Sequence, residues 1–371
     1  MPGMRIIGYY PSWSIYDRRY LVTDIAAGKL THLNYAFANI SEDGEIALGD
    51  AHADTQFVYP GGEGGGNFRQ LQRLKQAYPH LKTLISVGGW TWSGRFSDVA
   101  LTAASREKFA RSCAEFVSRY GFDGVDIDWE YPTGGGAQGN IERPEDPMNF
   151  VLLLQSLREY LNDQAARDER RYLLTIAAGA SSRAYAPLDW PRIHPLLDFI
   201  NVMTYDFSGS WSAVTGFNAP LYDSSPVPVE GGSMHTTVQA MLALGIPPEK
   251  LVPGVPFYGR GWAGVPPQNN GLHQPFEGLP PGTTEGYFSY HELASSYAGK
   301  FARFWHDNAQ VPWLYDAGTR VMISYDDPQS IRLKAAYARQ HGLGGIMFWE
   351  LSSDDAQATL LSTIYETFNM T

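Results

Sequence analysis

A single cysteine, Cys113, in 371 residues excludes an internal disulfide and any cysteine-built metal cluster. Positive charge is also scarce. The 28 Lys and Arg stand against 39 Asp and Glu, a formal net charge of −11. Such a surface repels a phosphate backbone, so nucleic acid is not an expected partner. No apolar run reaches the ~18 to 20 residues of a membrane span, and no membrane partner is expected. The opening Met-Pro-Gly-Met-Arg lacks the pattern of a signal peptide. Sequence repeats and low-complexity segments are missing too. Charged residues make up only 18% against 44% hydrophobic, which rules out disorder and leaves a chain able to bury a large core. The length suits two or three average domains or a single α/β barrel.

Aromatic residues are plentiful: 10 Trp, 22 Tyr and 18 Phe, or 13% of the chain. Many fall just after apolar, strand-like runs, where their faces can stack on a ligand. Large α/β cores use aromatics as well, and composition does not separate the two readings.

Short apolar runs bounded by Gly, Pro or polar residues predict strands at Arg5–Tyr10, His32–Asn39, Lys82–Gly88, Gly124–Glu130, Leu173–Ala178, Phe199–Tyr205, Leu251–Tyr258 and Gly345–Trp349. Helical patterns lie between them, among them Asn67–Tyr78, Ala103–Tyr120, Asp146–Ala165, Val238–Leu244, Ser330–His341 and Ala356–Phe368. Ser105, with Glu107 nearby, reads as a helix start, and Gly342 as a helix stop. Eight strands alternating with helices predict an α/β fold, a (β/α)8 TIM barrel. The gap before the last strand is too long for one helix and holds apolar runs at Tyr287–His291, Phe301–Trp305 and Val321–Tyr325. The expected organisation is a barrel from 1–261 and 326–371, with a small α+β insertion, 262–325, between strand seven and its helix.

The fourth predicted strand ends Asp-Gly-Val-Asp-Ile-Asp-Trp-Glu-Tyr-Pro. Strand side chains alternate faces, so Asp126, Asp128 and Glu130 point one way, into the barrel, and Val125, Ile127 and Trp129 the other. Buried like charges do not all ionise near neutrality, so at least one pKa rises. A carboxylic acid held protonated near pH 7 is a ready general acid. Asp123 is out of step and is expected to order the strand's start. A solvated acidic face is disfavoured by the apolar run around it. A Mg²⁺ or Ca²⁺ site remains an alternative, ranked below acid catalysis because no His or Asn joins the row. No metal and no cofactor is expected. The lone histidines His32 and His194 show no metal spacing and read as structural.

The row Asp123-x-x-Asp126-x-Asp128-x-Glu130 resembles the signature of family 18 glycoside hydrolases, the chitinases. Ser86-Val-Gly-Gly-Trp90, Met203-Thr-Tyr205-Asp206-Phe207 and Gly345-Ile-Met-Phe-Trp349-Glu350 resemble three further motifs of that family, in order and on the expected strands. The insertion resembles that of its subgroup A. The resemblance spans nearly the whole chain.

It implies retaining, endo-type hydrolysis of β-1,4-linked N-acetylglucosamine polymers (chitin and chitooligosaccharides), with the substrate's own acetamido group as nucleophile and an oxazolinium intermediate. Glu130 is then the acid. Asp128 holds the acetamido N–H and shares a proton with Asp126, and Tyr205 holds the acetamido oxygen. Substrate-binding residues implied by the resemblance are Tyr9, Phe37, Trp90, Tyr131, Met203, Asp206, Tyr258, Arg260 and Trp349. Trp349 is the expected floor under the sugar at the cut, and Trp92 and Trp211 are further stacking candidates. Ser86 is expected to support Asp126. The alternatives are a catalytically silent chitin-binding lectin, or a related hydrolase of N-glycans or peptidoglycan. A monomeric, secreted catalytic domain, its leader removed, is expected. A cytoplasmic enzyme for imported oligosaccharides is the alternative location.

Overall fold

A computed structural model describes residues 3–224 and 232–370. Eight parallel strands form the barrel: β1 (Arg5–Pro11), β2 (His32–Ile40), β4 (Lys82–Gly88), β5 (Gly124–Asp128), β6 (Leu173–Gly179), β7 (Phe199–Met203), β8 (Leu251–Pro256) and β14 (Gly345–Trp349). Each pairs with the next, and β1 pairs with both β2 and β14, which closes the ring. A two-residue strand, β3 (Ile46–Ala47), adds antiparallel to the end of β2.

The closure follows from side-chain pattern. Val125, Ile127 and Trp129 pack outward in the large cluster between sheet and helices. Trp129 lies stacked on Phe96 with centroids 5.3 Å apart and meets Phe150 edge-on. The surrounding helices contribute Phe109, Cys113, Phe116 and Val117 from Ala103–Tyr120, and Phe150, Leu153, Leu154 and Leu157 from Asp146–Arg167. Rotating β5 by one residue would drive three carboxylates into that apolar layer, so burial holds the parity.

Several boundaries differ from the sequence-based expectation. β5 ends at Asp128 and β7 at Met203, so Glu130 and Tyr205 stand just beyond regular strands. β8 ends at Pro256, which carries no amide to extend a ladder. The Phe257 amide bonds the Trp349 carbonyl at 2.7 Å, and the chain then leaves the barrel. Tyr258 therefore does not end a barrel strand. It opens β9 (Tyr258–Trp262), part of a second, antiparallel sheet with β10 (Tyr287–Ser289), β11 (Ala302–His306), β12 (Val311–Asp316) and β13 (Val321–Ser324), in the order β10-β9-β13-β12-β11. Strand β12 was not anticipated, because its apolar run is interrupted by Pro312. This sheet has two apolar clusters of its own, one around Trp262, Trp313 and Met322 and one around Phe288, Leu314 and Ile323.

The cap of the helix Ala103–Tyr120 is Thr102, not Ser105. Thr102 accepts the Ser105 amide and Ser105 bonds back to the Thr102 amide, a reciprocal pair that satisfies both orphan donors. Among the described residues no helix is long and apolar enough to cross a membrane.

Candidate active site

Asp126 lies at the centre of the barrel and is wholly buried. Four donors from four different strands meet its two oxygens: Tyr9 hydroxyl at 2.8 Å, Ser86 hydroxyl at 2.8 Å, Thr175 hydroxyl at 2.6 Å and Asn201 amide at 3.2 Å. Burial raises its pKa, and these hydrogen bonds oppose the rise. With its lone pairs taken by protein donors, it offers no open ligand position to a cation.

Asp128 is one step higher on the same face and nearly as buried. Its Oδ1 has no hydrogen-bond partner. Burial first, then the fields of Glu130 and Asp126, push its carboxyl well above the usual range. The two aspartates act on one another through that field, because the hydroxyl and amide donors already occupy Asp126.

Glu130 comes next, 9% exposed. Burial raises its pKa from 4.5 to about 7, a hydrogen bond from Tyr131 works against that, and Asp206 adds to it. Its backbone is gripped at two points: its amide donates to the Ser93 hydroxyl at 2.9 Å, and Asn140 Nδ2 donates to its carbonyl at 3.1 Å. Ser93 also donates to the Asp128 carbonyl at 3.1 Å. The three carboxylates thus form a ladder, from a saturated base to an acid poised near neutrality at the mouth. Such a ladder can hold and release one proton at its top.

Around it stand the other expected residues. Tyr205 is half-buried, meets Tyr258 edge-on at 6.2 Å, and lies in the field of Asp128 and Asp206. Met203 packs against the inner barrel cluster with Tyr9, Phe37 and Trp349. Trp349 stacks on Phe37 with centroids 5.6 Å apart and planes 15° apart, and tilts against Tyr9 at 5.7 Å. Gly89 makes room for this stack. It sits at φ +73°, and a Cβ there would lie 2.6 Å from the Phe37 ring. The peptide bonds Ala36–Phe37, Glu130–Tyr131 and Trp349–Glu350 at this rim are cis.

Asp206 accepts Arg260 Nε at 2.8 Å, and Asn218 accepts the Asp206 amide at 3.0 Å. The Arg260 guanidinium lies 5.2 Å from the Trp211 ring and 5.3 Å from Tyr258. Trp90 and Trp211 are exposed, at 52% and 57%.

Asp123 stands apart from this group. It accepts the Thr83 amide at 2.8 Å and pairs with Lys75 at 2.6 Å, at the start of β5, as an anchor of the strand.

Sequence reading missed Thr175, Asn201, Ser93, Asn140 and Trp13. The first two had a signal, a polar residue at inward parity in an otherwise apolar run. Trp13 had the signal that singled out Trp90, an aromatic just past a strand end. It is 46% exposed and tilts against Phe37 and Trp349 at 6.2 Å. Ser93 opens a one-turn 3-10 helix and Asn140 lies on a loop, neither with a readable periodicity, and only the folded chain brings them to Glu130. Among the described residues, no group of three or more His, Cys, Asp or Glu side chains is arranged to hold a metal ion.

The sequence profile of "Glycosyl hydrolases family 18" matches residues 5–354. Chitinase A1 of Niallia circulans is 46% identical over 94% of this chain, and the chain spans 56% of that protein's length. Chitinase 1 of Aphanocladium album is 36% identical over 96% of this chain and 84% of its own. The solved structure of chitinase ChiA74 from Bacillus thuringiensis superposes with a TM-score of 0.93 at 41% identity, over 99% of this chain and 70% of that one. With a closed eight-stranded barrel, a buried carboxylate ladder at its mouth and a profile match over nearly its whole length, this chain belongs to glycosyl hydrolases family 18.

Proposed function

We propose that this chain is a chitinase: a retaining, endo-acting hydrolase of β-1,4-linked N-acetylglucosamine polymers, working by substrate-assisted catalysis. The observation that carries the reading is the pair Asp128–Glu130, both held above the usual carboxylate range chiefly by burial, with the field of Glu130 adding to the rise at Asp128 and that of Asp206 to the rise at Glu130, in a barrel mouth walled with aromatic rings. The similarity to proteins named chitinases supports it.

In this reading Glu130 gives its proton to the glycosidic oxygen as the C1–O bond breaks. The acetamido carbonyl oxygen of the same sugar bonds to C1, forming an oxazolinium ion. Asp128 accepts the acetamido N–H and balances the positive charge, and Asp126 anchors Asp128 from below. Tyr205 donates to the acetamido oxygen, and Met203 packs under the acetamido methyl. Water then bonds to C1, its proton passes to Glu130, and the ring opens with net retention. Trp349 is the floor of the central sugar, with Tyr9 and Phe37 behind it and Tyr131, Asp206, Tyr258 and Arg260 at its edges. Trp90 and Trp211 stack further sugars.

The sheet β9–β13 supports reading an insertion of the subgroup A kind, one wall of a groove for a linear polymer, beginning at Tyr258 rather than at the expected 262. Action outside the cell follows from a substrate too large to enter one, and a monomer is the state we propose.

The test is product stereochemistry and pattern from a defined N-acetylglucosamine hexamer. New reducing ends should be the β anomer by NMR before mutarotation, and internal cuts should dominate early. An initial α anomer excludes this mechanism, and absence of turnover leaves a binding protein.

A further inference from the structure

At the end of the barrel opposite the carboxylates, the strand N-termini surround a cavity of 710 Å³. Arg5, Arg158, Arg171 and Lys250 line it, and Asp198 is the one carboxylate among its described lining residues. Asp198 is already engaged. It accepts Arg158 Nη2 at 2.7 Å and the Leu174 amide at 2.9 Å, and it pairs with Arg171. Arg5 and Lys250 donate instead to neutral carbonyls: Arg5 Nη1 to Glu249 at 3.0 Å and Gly344 at 3.3 Å, Lys250 Nζ to His194 at 2.6 Å and Leu197 at 2.7 Å. His32 in the same wall is kept neutral, its pKa pushed down to about 3 by burial and by Arg5. Glu249 also bears on Arg5 and Lys250 without lining the cavity. Four cations therefore face two acids, and the cavity holds a net positive charge in a chain whose total is −11.

We propose that this cavity is a binding site for a small multivalent oxyanion of the phosphate class, separate from the carboxylate ladder. The volume lies within the range of small-molecule pockets. Arg158 is spent on Asp198 and on the Leu196 and Tyr172 carbonyls, so the donors for phosphate oxygens are the Arg5 and Arg171 guanidiniums and the Lys250 ammonium that line the same space. Burial depresses both Arg5 and Lys250, and an anion between them would reverse that effect. Functional sites of such barrels gather at the other face, so an anion here would act on stability rather than on the cut bond. It would tie β1, β8 and the segments around Arg158 and Arg171 together, and by linkage raise the melting temperature.

The probe is sodium pyrophosphate, titrated calorimetrically into the full chain at an ionic strength held constant with NaCl. Saturable binding of one equivalent is expected, with a melting temperature that rises with pyrophosphate and not with NaCl. Arg171→Gln should weaken binding about tenfold. Its side chain is 79% exposed, so the fold should be unaffected, and its hydrolysis of the hexamer should equal the parent's. Lys250→Met should weaken binding further, with its own melt checking the fold. Absence of saturable binding overturns the proposal, and so does equal affinity in Arg171→Gln and the parent. Displacement of pyrophosphate by the hexamer also overturns it, because the anion would then sit in the sugar groove.

Discussion

Glu130 meets the solvent boundary with its carboxyl at about 7, and burial is the main cause. Glu130→Gln keeps the shape and removes the proton. Folding should be retained and hexamer hydrolysis should fall by at least ~10²–10⁴-fold, the contribution of a positioned acid. The pH dependence has a definite sign. The folded pKa stands above the ordinary 4.5, so the folded state holds this proton more tightly than the unfolded chain does. The stabilisation is complete below about 4.5 and is lost as pH rises through about 7. Activity that needs the protonated acid should decline over the upper part of the same window. Thermal melts across it should show a steeper loss for the parent than for Glu130→Gln. Parallel curves would mean that Glu130 ionises without a folding cost.

The segment leaving the second sheet is fastened by a buried ion pair. Lys334 and Asp326 are fully buried, their atoms 2.6 Å apart, and Lys334 Nζ also donates to the Ala219 carbonyl in the loop after β7. That loop carries Tyr205 and Asp206, so the pair joins the end of the second sheet to the rim of the site. Lys334→Met leaves Asp326 buried without its partner, a change that costs about 3–5 kcal/mol in comparable pairs. The double variant Lys334→Met with Asp326→Leu should recover much of this in a denaturant titration. If the single and double variants lose equally, the Ala219 bond, and not the ion pair, holds the segment.

For the whole molecule, two outcomes follow from how the ladder is built. Donors from four strands fill the lone pairs of Asp126. Activity should therefore survive exhaustive chelation; a loss restored by Mg²⁺ or Ca²⁺ would make the row a metal site. Asp128 ends β5 just below Glu130, so the attack on C1 is assigned to the substrate. The sugar on the non-reducing side of each cut must then carry an acetyl group. Partially acetylated chitosan should yield new reducing ends that are N-acetylglucosamine, read by mass spectrometry after end labelling. A substantial share of glucosamine ends would require another nucleophile.

The local order along the chain determined which residues form the ladder and which face they share. A period of two, Asp126, Asp128, Glu130 against Val125, Ile127, Trp129, leaves one arrangement that buries the apolar set against helices. Alternation of strand and helix likewise made the barrel legible, since a parallel sheet needs both faces covered. Closure of the ring decided the rest. The donors to Asp126 come from positions 9, 86, 175 and 201, and no local pattern relates residues so far apart in sequence. The grip of Ser93 and Asn140 on the Glu130 backbone, and the departure of the chain at Pro256 into a second sheet, belong to the same class. The poise of Glu130 does too, because its pKa is set by depth and by neighbouring fields. Periodicity is a property of adjacent residues, whereas burial and electrostatic coupling exist only once distant strands have met.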